Sequence, residues 1–136
     1  MSPYLERMVL DADPLELVRI LYERALDCIE EARRHLAAGR IPERSKAVVQ
    51  AIEVIGELQG ALRDDAAPQL SRRLRELYDY VQFCLTEANF QQKEEPLKRA
   101  IVVLSSLLEA WTELAYRRSG PPVETHVAAT LHAQAS

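Results

Sequence analysis

Four stretches of the chain repeat apolar residues at i, i+3, i+4 and i+7, the mark of a helix with one buried face. No stretch alternates with the period of two that a half-buried strand requires. The first pattern runs through Val18, Leu21, Tyr22, Ala25, Cys28, Ile29, Ala32 and Leu36. Its start is written in Asp13-Pro14-Leu15-Glu16: Asp13 suits a cap for the free amides, Pro14 suits the first helical position, and Glu16 completes a box-like arrangement three residues on. Gly39 stops it. The second opens at Pro42 after Ile41 and carries Val48, Ala51, Ile52, Ile55, Leu58 and Leu62, until Asp64, Asp65 and Pro68 break the chain. The third carries Leu70, Leu74, Leu77, Val81, Cys84, Leu85 and Ala88 and ends near Asn89. The fourth opens at Pro96 and carries Leu97, Ala100, Ile101, Leu104, Leu108, Trp111 and Ala115, until Ser119, Gly120, Pro121 and Pro122 interrupt it.

Each pattern covers roughly 22 to 26 residues, on the order of 35 Å of helix. Helices of matched length joined by short loops pack best as antiparallel neighbours, so the sequence predicts an all-α, up-down four-helix bundle over residues 1–118. Tyr4, Leu5, Met8, Val9 and Leu10 are too apolar for a free tail, and we expect this N-terminal segment to cap the bundle by packing along or across it. Residues 119–136 form a tail with two readings: a short fifth helix on Val123, Val127 and Leu131, or a disordered end.

A chain of 136 residues is enough for one domain with a real core. Cys28 and Cys84 stand apart inside apolar helical patterns, which predicts buried free thiols rather than a disulfide or zinc site. Neither a signal peptide nor a run of about 20 apolar residues is present, so a cytoplasmic protein without membrane insertion is expected. A net charge of -4 argues against a nucleic-acid partner, whose binding would rest on neutralised phosphates. The basic run Arg72, Arg73 and Arg75 reads as a solvated face in which Glu76 and Asp79 stand at pairing distance along the helix.

Bundles that hold two metals need a Glu-x-x-His pair on each of two helices. The residues three before His35, His126 and His132 are Ala32, Val123 and Ala129, so that motif is missing, and His35 suits a helix C-terminus instead. No phosphate-cradling glycine loop or nucleophile with a base stands out. The sequence predicts no cofactor, no metal site and no catalysis.

What the pattern does contain is surplus apolar surface. At 100° per residue, Phe83 and Phe90 fall nearly opposite the core face of the third helix, with Tyr80 between the two faces. On the fourth helix Val103, Leu107, Ala110 and Leu114 widen the core stripe sideways, and on the first Ile20 lies off the core phase. Either these stripes are covered, by a central placement of the fourth helix or by the termini, or they are open and await an amphipathic segment laid between helices.

Taken together, several features resemble the flagellin export chaperone family, of FliS type, over residues 4 to about 116. They are Tyr4; Asp13-Pro14-Leu15-Glu16-Leu17 followed by Leu21-Tyr22 and Ala25-Leu26; Ile55, Leu58 and Leu62; Leu77-Tyr78-Asp79-Tyr80 with Glu87-Ala88-Asn89; and Trp111. The loop Asp64-Asp65-Ala66-Ala67-Pro68 lacks the glycine-containing segment often found there, and the tail after Arg118 has no part in the pattern. The resemblance implies a secretion chaperone that binds the disordered C-terminal segment of flagellin, prevents its premature polymerisation and delivers it to the flagellar export apparatus. Ile20, Tyr80, Phe83, Phe90, Val103, Leu107 and Leu114 are then the candidate client-binding residues, chosen because they lie off the core phase. Tyr22, Tyr78 and Trp111 match the family pattern on core faces, where packing with a polar tip satisfied at the rim is expected. A monomer or weak homodimer is expected. The alternatives are a homo-oligomeric bundle that buries the same stripes against itself, and a cofactor-bearing bundle enzyme.

Overall fold

The computed structural model describes residues 14–63, 65 and 67–119. They form α1 (Pro14–Ala38), α2 (Ile41–Gly60), α3 (Pro68–Gln91) and α4 (Glu95–Ser119), with no strand among the described residues. The all-α expectation therefore holds. The expected N-terminal cap and the tail with its optional fifth helix lie outside the described residues.

α1 packs on α2 and α4, and α3 packs on the same two helices, so the four close into a ring of antiparallel neighbours. The core is the shared inner face of that ring: Leu21, Tyr22, Ala25, Ile29, Val48, Ile55, Leu58, Leu74, Val81, Leu85, Leu97 and Leu104 are all buried. Cys28 and Cys84 are buried free thiols, and burial holds the Cys28 thiol above its ordinary value. Two expectations need correction. Leu70 is 54% exposed, because it stands in the first turn of α3 beyond the reach of the inner faces. Val54 is buried although the sequence reading left it out of the α2 stripe.

The loops explain the boundaries. At the end of α1, Gly39 adopts φ 72° and donates its N–H to the Leu36 carbonyl (3.2 Å), while Arg40 donates to the His35 carbonyl (2.9 Å). This pair of bonds is the Schellman closure, and it uses the left-handed conformation that glycine adopts without steric cost. His35 sits in the last turn as expected, with its Nδ1 accepting from Arg40 Nε at 2.9 Å. α3 continues two residues past Asn89 and ends when Gln92 turns left-handed at φ 56°, its N–H donating to the Ala88 carbonyl.

Polar side chains tie the same end of the bundle together. Arg44, in the first turns of α2, is buried; it donates through Nε to Asn89 Oδ1 (3.1 Å) and through Nη2 to the Asn89 carbonyl (3.3 Å). Ser45 Oγ donates to the same amide oxygen at 3.1 Å. One asparagine near the end of α3 thus anchors the start of α2, and the guanidinium sits where helix-terminal carbonyls favour positive charge. Arg33 of α1 reaches Glu94, just before α4, at 2.7 Å and Glu30 at 3.2 Å.

Farther along, Gln59 of α2 donates to Asp79 Oδ1 at 2.7 Å. Arg72 and Arg73 are exposed, as a solvated face requires, and Asp79 takes part in this interhelical bond.

Candidate functional site

The apolar residues that stand outside the core concentrate on α3 and α4. Phe90 is 86% exposed and Phe83 62%, one above the other on the face of α3 opposite Leu74, Val81 and Leu85. Tyr80 is exposed on the flank of α3 between that face and the core, beside Cys84; this hydrogen-bonding neighbour, more than desolvation, holds its phenol above the ordinary value. On α4, Arg99, Val103, Leu107, Ala110 and Leu114 follow one another at helical spacing along a single flank. Arg99 Nη2 donates to Glu87 Oε1 of α3 at 3.3 Å, which identifies that flank as the one turned toward α3. Val103 and Leu107 are half-buried against the core and Leu114 is exposed.

Tyr80, Val103, Leu107 and Leu114 therefore border the seam between α3 and α4, and Phe83 and Phe90 stand beside it on the outer surface. Arg99 Nε, buried within this seam, has no hydrogen-bond partner among the described residues. Ile20 belongs elsewhere. It is half-buried on α1, and thirteen residues at about 100° each place it roughly 140° around the helix from Arg33, the residue that reaches toward α4. The candidate residues thus divide into six on α3 and α4 and one apart. Sequence reasoning missed Val102, 64% exposed on the outer face of α4, although its phase gave a usable signal. It also missed the exposed Ile41, Val49 and Tyr116.

The aromatic residues of the core are arranged differently from expectation. Tyr22 and Tyr78 are fully buried, their hydroxyl oxygens 2.6 Å apart and their ring centroids 6.2 Å apart at 55°. Trp111 Nε1 donates to the Tyr22 oxygen at 3.1 Å. Their polar tips are satisfied by one another inside the bundle, not at its rim. Burial pushes both phenols above the ordinary tyrosine value.

Among the described residues no group of three or more His, Cys, Asp or Glu could hold a metal ion, and no helix is long and apolar enough to cross a membrane. The described helices thus define the class of small antiparallel helical bundles, with apolar residues set along one interhelical seam. The family model for flagellar protein FliS matches residues 1–118, and the chain belongs to that family. It is similar to the flagellar secretion chaperone FliS of Salmonella typhimurium, 28% identical over 84% of this chain and 85% of the relative. It is also similar to the flagellar secretion chaperone FliSB of Pseudomonas aeruginosa, 29% identical over 82% of this chain and 89% of the relative. The flagellar secretion chaperone FliS of Vibrio cholerae is 22% identical over 76% of each chain.

Proposed function

We propose that this protein is a flagellar secretion chaperone that binds the C-terminal segment of flagellin, keeps it from polymerising in the cytoplasm and assists its delivery to the export apparatus. The observation that carries the reading is the apolar seam between α3 and α4, with Tyr80, Val103, Leu107 and Leu114 along it and Phe83 beside it on the outer surface, in a member of the FliS family. A disordered client that folds as it binds loses roughly 2 to 5 kcal/mol or more to ordering, and only a long apolar contact offsets that. Binding the unpolymerised client is itself the activity, by mass action, and requires no nucleotide. Residues 1–118 carry this function, and the tail has no assigned part.

Calorimetry with the C-terminal segment of the host's own flagellin tests the proposal. The expected result is 1:1 binding with a negative heat-capacity change. Phe83→Glu combined with Leu114→Glu, both at exposed positions, abolishes it while the helical circular dichroism stays. An unmodified protein that does not bind the segment refutes the client. A stable dimer that the segment never dissociates supports instead a homo-oligomer burying the same seam.

A further inference from the structure

α1 and α2 end by different rules, although each has a glycine at its C-terminus. α1 stops at Gly39, left-handed at φ 72°, with the Gly39 N–H on the Leu36 carbonyl and the Arg40 N–H on the His35 carbonyl. α2 has Gly60 as its last residue, and this glycine is not left-handed. The chain runs on through it to Ala61, which is still right-handed at φ -87° and ψ -4°. Ala61 donates to the Glu57 and Leu58 carbonyls at 3.1 and 3.2 Å, and Leu62 donates to the Gln59 carbonyl at 3.2 Å.

The α1 closure can be laid on α2 residue for residue. With Gly60 left-handed, the Gly60 N–H meets the Glu57 carbonyl and the Ala61 N–H meets the Gly56 carbonyl, the spacings seen at Gly39 and Arg40. Glycine takes that conformation without steric cost. A Cβ at Gly56 or Gly60 would meet nothing within 4 Å, so packing does not demand glycine at either position. At Gly60 a second helix stop supplies the reason that packing lacks. The last turn of α2 is also weakly held by charge, since it has no basic residue and carries Glu57 beside carbonyls that disfavour an anion.

The two stops are closely balanced. Shortening α2 keeps a hydrogen bond for the Gly60 and Ala61 amides and gives up the one from Leu62, worth roughly a two- to ten-fold preference, together with the half-buried Leu62 contact. The observed long form is therefore the major one and the short form a minor neighbour. Ala61 and Leu62 are also part of the wall of a cavity of about 170 Å³, at the end of the bundle where α1 and α3 begin, bordered further by Val18, Leu70, Leu74 and Trp111. We propose that Gly60 is a switch between two helix stops, and that its left-handed form draws Ala61 and Leu62 away from this cavity and widens it. The switch belongs to the free chain and goes beyond the chaperone reading, holding whether or not flagellin is the client.

The Leu62 N–H is bonded in the long form and free in the short one, so its hydrogen exchange reads the short population. In the full chain, relative to intrinsic rates, the Leu62 amide is expected to exchange about ten-fold or more faster than the Leu58 amide, which stays helical in both forms. Gly60→Ala should slow Leu62 exchange roughly five- to thirty-fold, the penalty on a left-handed L residue, and Gly60→Asn far less, because asparagine tolerates that conformation. Gly56→Ala, helical in both forms, should leave Leu62 exchange unchanged. All three variants are expected to fold, since the added Cβ meets open space.

Leu62 protected as well as Leu58 overturns the switch. Equal slowing by Gly60→Ala and Gly60→Asn overturns it too, because the added side chain and not the handedness would then be responsible. Equal slowing by Gly56→Ala and Gly60→Ala does the same, since it marks simple fraying of a weak turn. The link to the cavity is read at Trp111, the single tryptophan of the chain. Relaxation dispersion of its indole N–H should report the same exchange rate as the Leu62 amide and vanish in Gly60→Ala. A flat Trp111 profile beside an exchanging Leu62 overturns the widening of the cavity.

Discussion

The two ends of the bundle are built from different chemistry. Where α1 and α3 finish, the backbone closes through Gly39 and Gln92, Asn89 holds Arg44 and Ser45, and Arg33 spans Glu30 and Glu94. Where α1 and α3 begin, Leu62, Leu70, Leu74 and Trp111 surround a cavity, and the loop is clipped by Ser71 to Arg63. Directional bonds fix the first end in one geometry. The second keeps apolar surface whose complement can come from another molecule. The difference teaches that stability and recognition are separable along the length of one small bundle.

Substitutions at the clasped end sharpen this contrast most. Asn89→Ala leaves the buried Arg44 guanidinium without its amide partner and is expected to cost about 2–3 kcal/mol. Thermal denaturation should show this as a melting temperature lower by roughly 5–15 °C, with the affinity for the flagellin segment unchanged. Lost affinity in that variant would break the separation of the two ends.

The aromatic triad gives the next effect. The unfolded chain loses its phenolic protons around the ordinary value of 10.0, while burial keeps the Tyr22 proton on in the native state. Above that pH the unfolded state binds fewer protons than the native one, so unfolding free energy falls as pH rises. Stability from this group is complete below about pH 10 and declines above it, and Tyr22→Phe should flatten the decline in denaturant titrations.

A smaller effect runs the other way. Gln92→Gly removes an L side chain from φ 56° and should stabilise the protein by about 0.5–1 kcal/mol. Least of all, Phe90→Ser and Val102→Ser should move stability by no more than about 0.5 kcal/mol, since both side chains are largely solvated in the free protein.

The helices were legible because each carries a strong 3.6-residue period and all four open with or beside a proline: α1 with Pro14, α2 beside Pro42, α3 with Pro68 and α4 beside Pro96. The end of α3 was less so, because Gln92 takes the left-handed conformation usually signalled by glycine. Leu70 shows the limit of periodicity: phase says which way a side chain points, and position along the bundle decides whether anything covers it. Val103 and Leu107 show the converse, for they lie off the central stripe yet are half-buried where α4 meets α3. Arg44 was invisible as a core residue, since nothing local distinguishes it from the exposed Arg40 four residues earlier. The tyrosine pair was placed on core faces correctly, but the bond between Tyr22 and Tyr78 joins residues 56 apart and depends on tertiary packing.

The ring of helices also has a seam in time. Three of its contacts join sequence neighbours, and the fourth, between α1 and α4, closes the circle over nearly the whole length of the described chain. Local contacts form with little loop-closure entropy, and distant ones wait for them. The Trp111 bond to Tyr22, 89 residues apart, belongs to that closing contact. In stopped-flow refolding, helical signal should therefore rise first and tryptophan emission last. A chain emerging from synthesis would hold three packed helices and an uncovered inner face until α4 arrives.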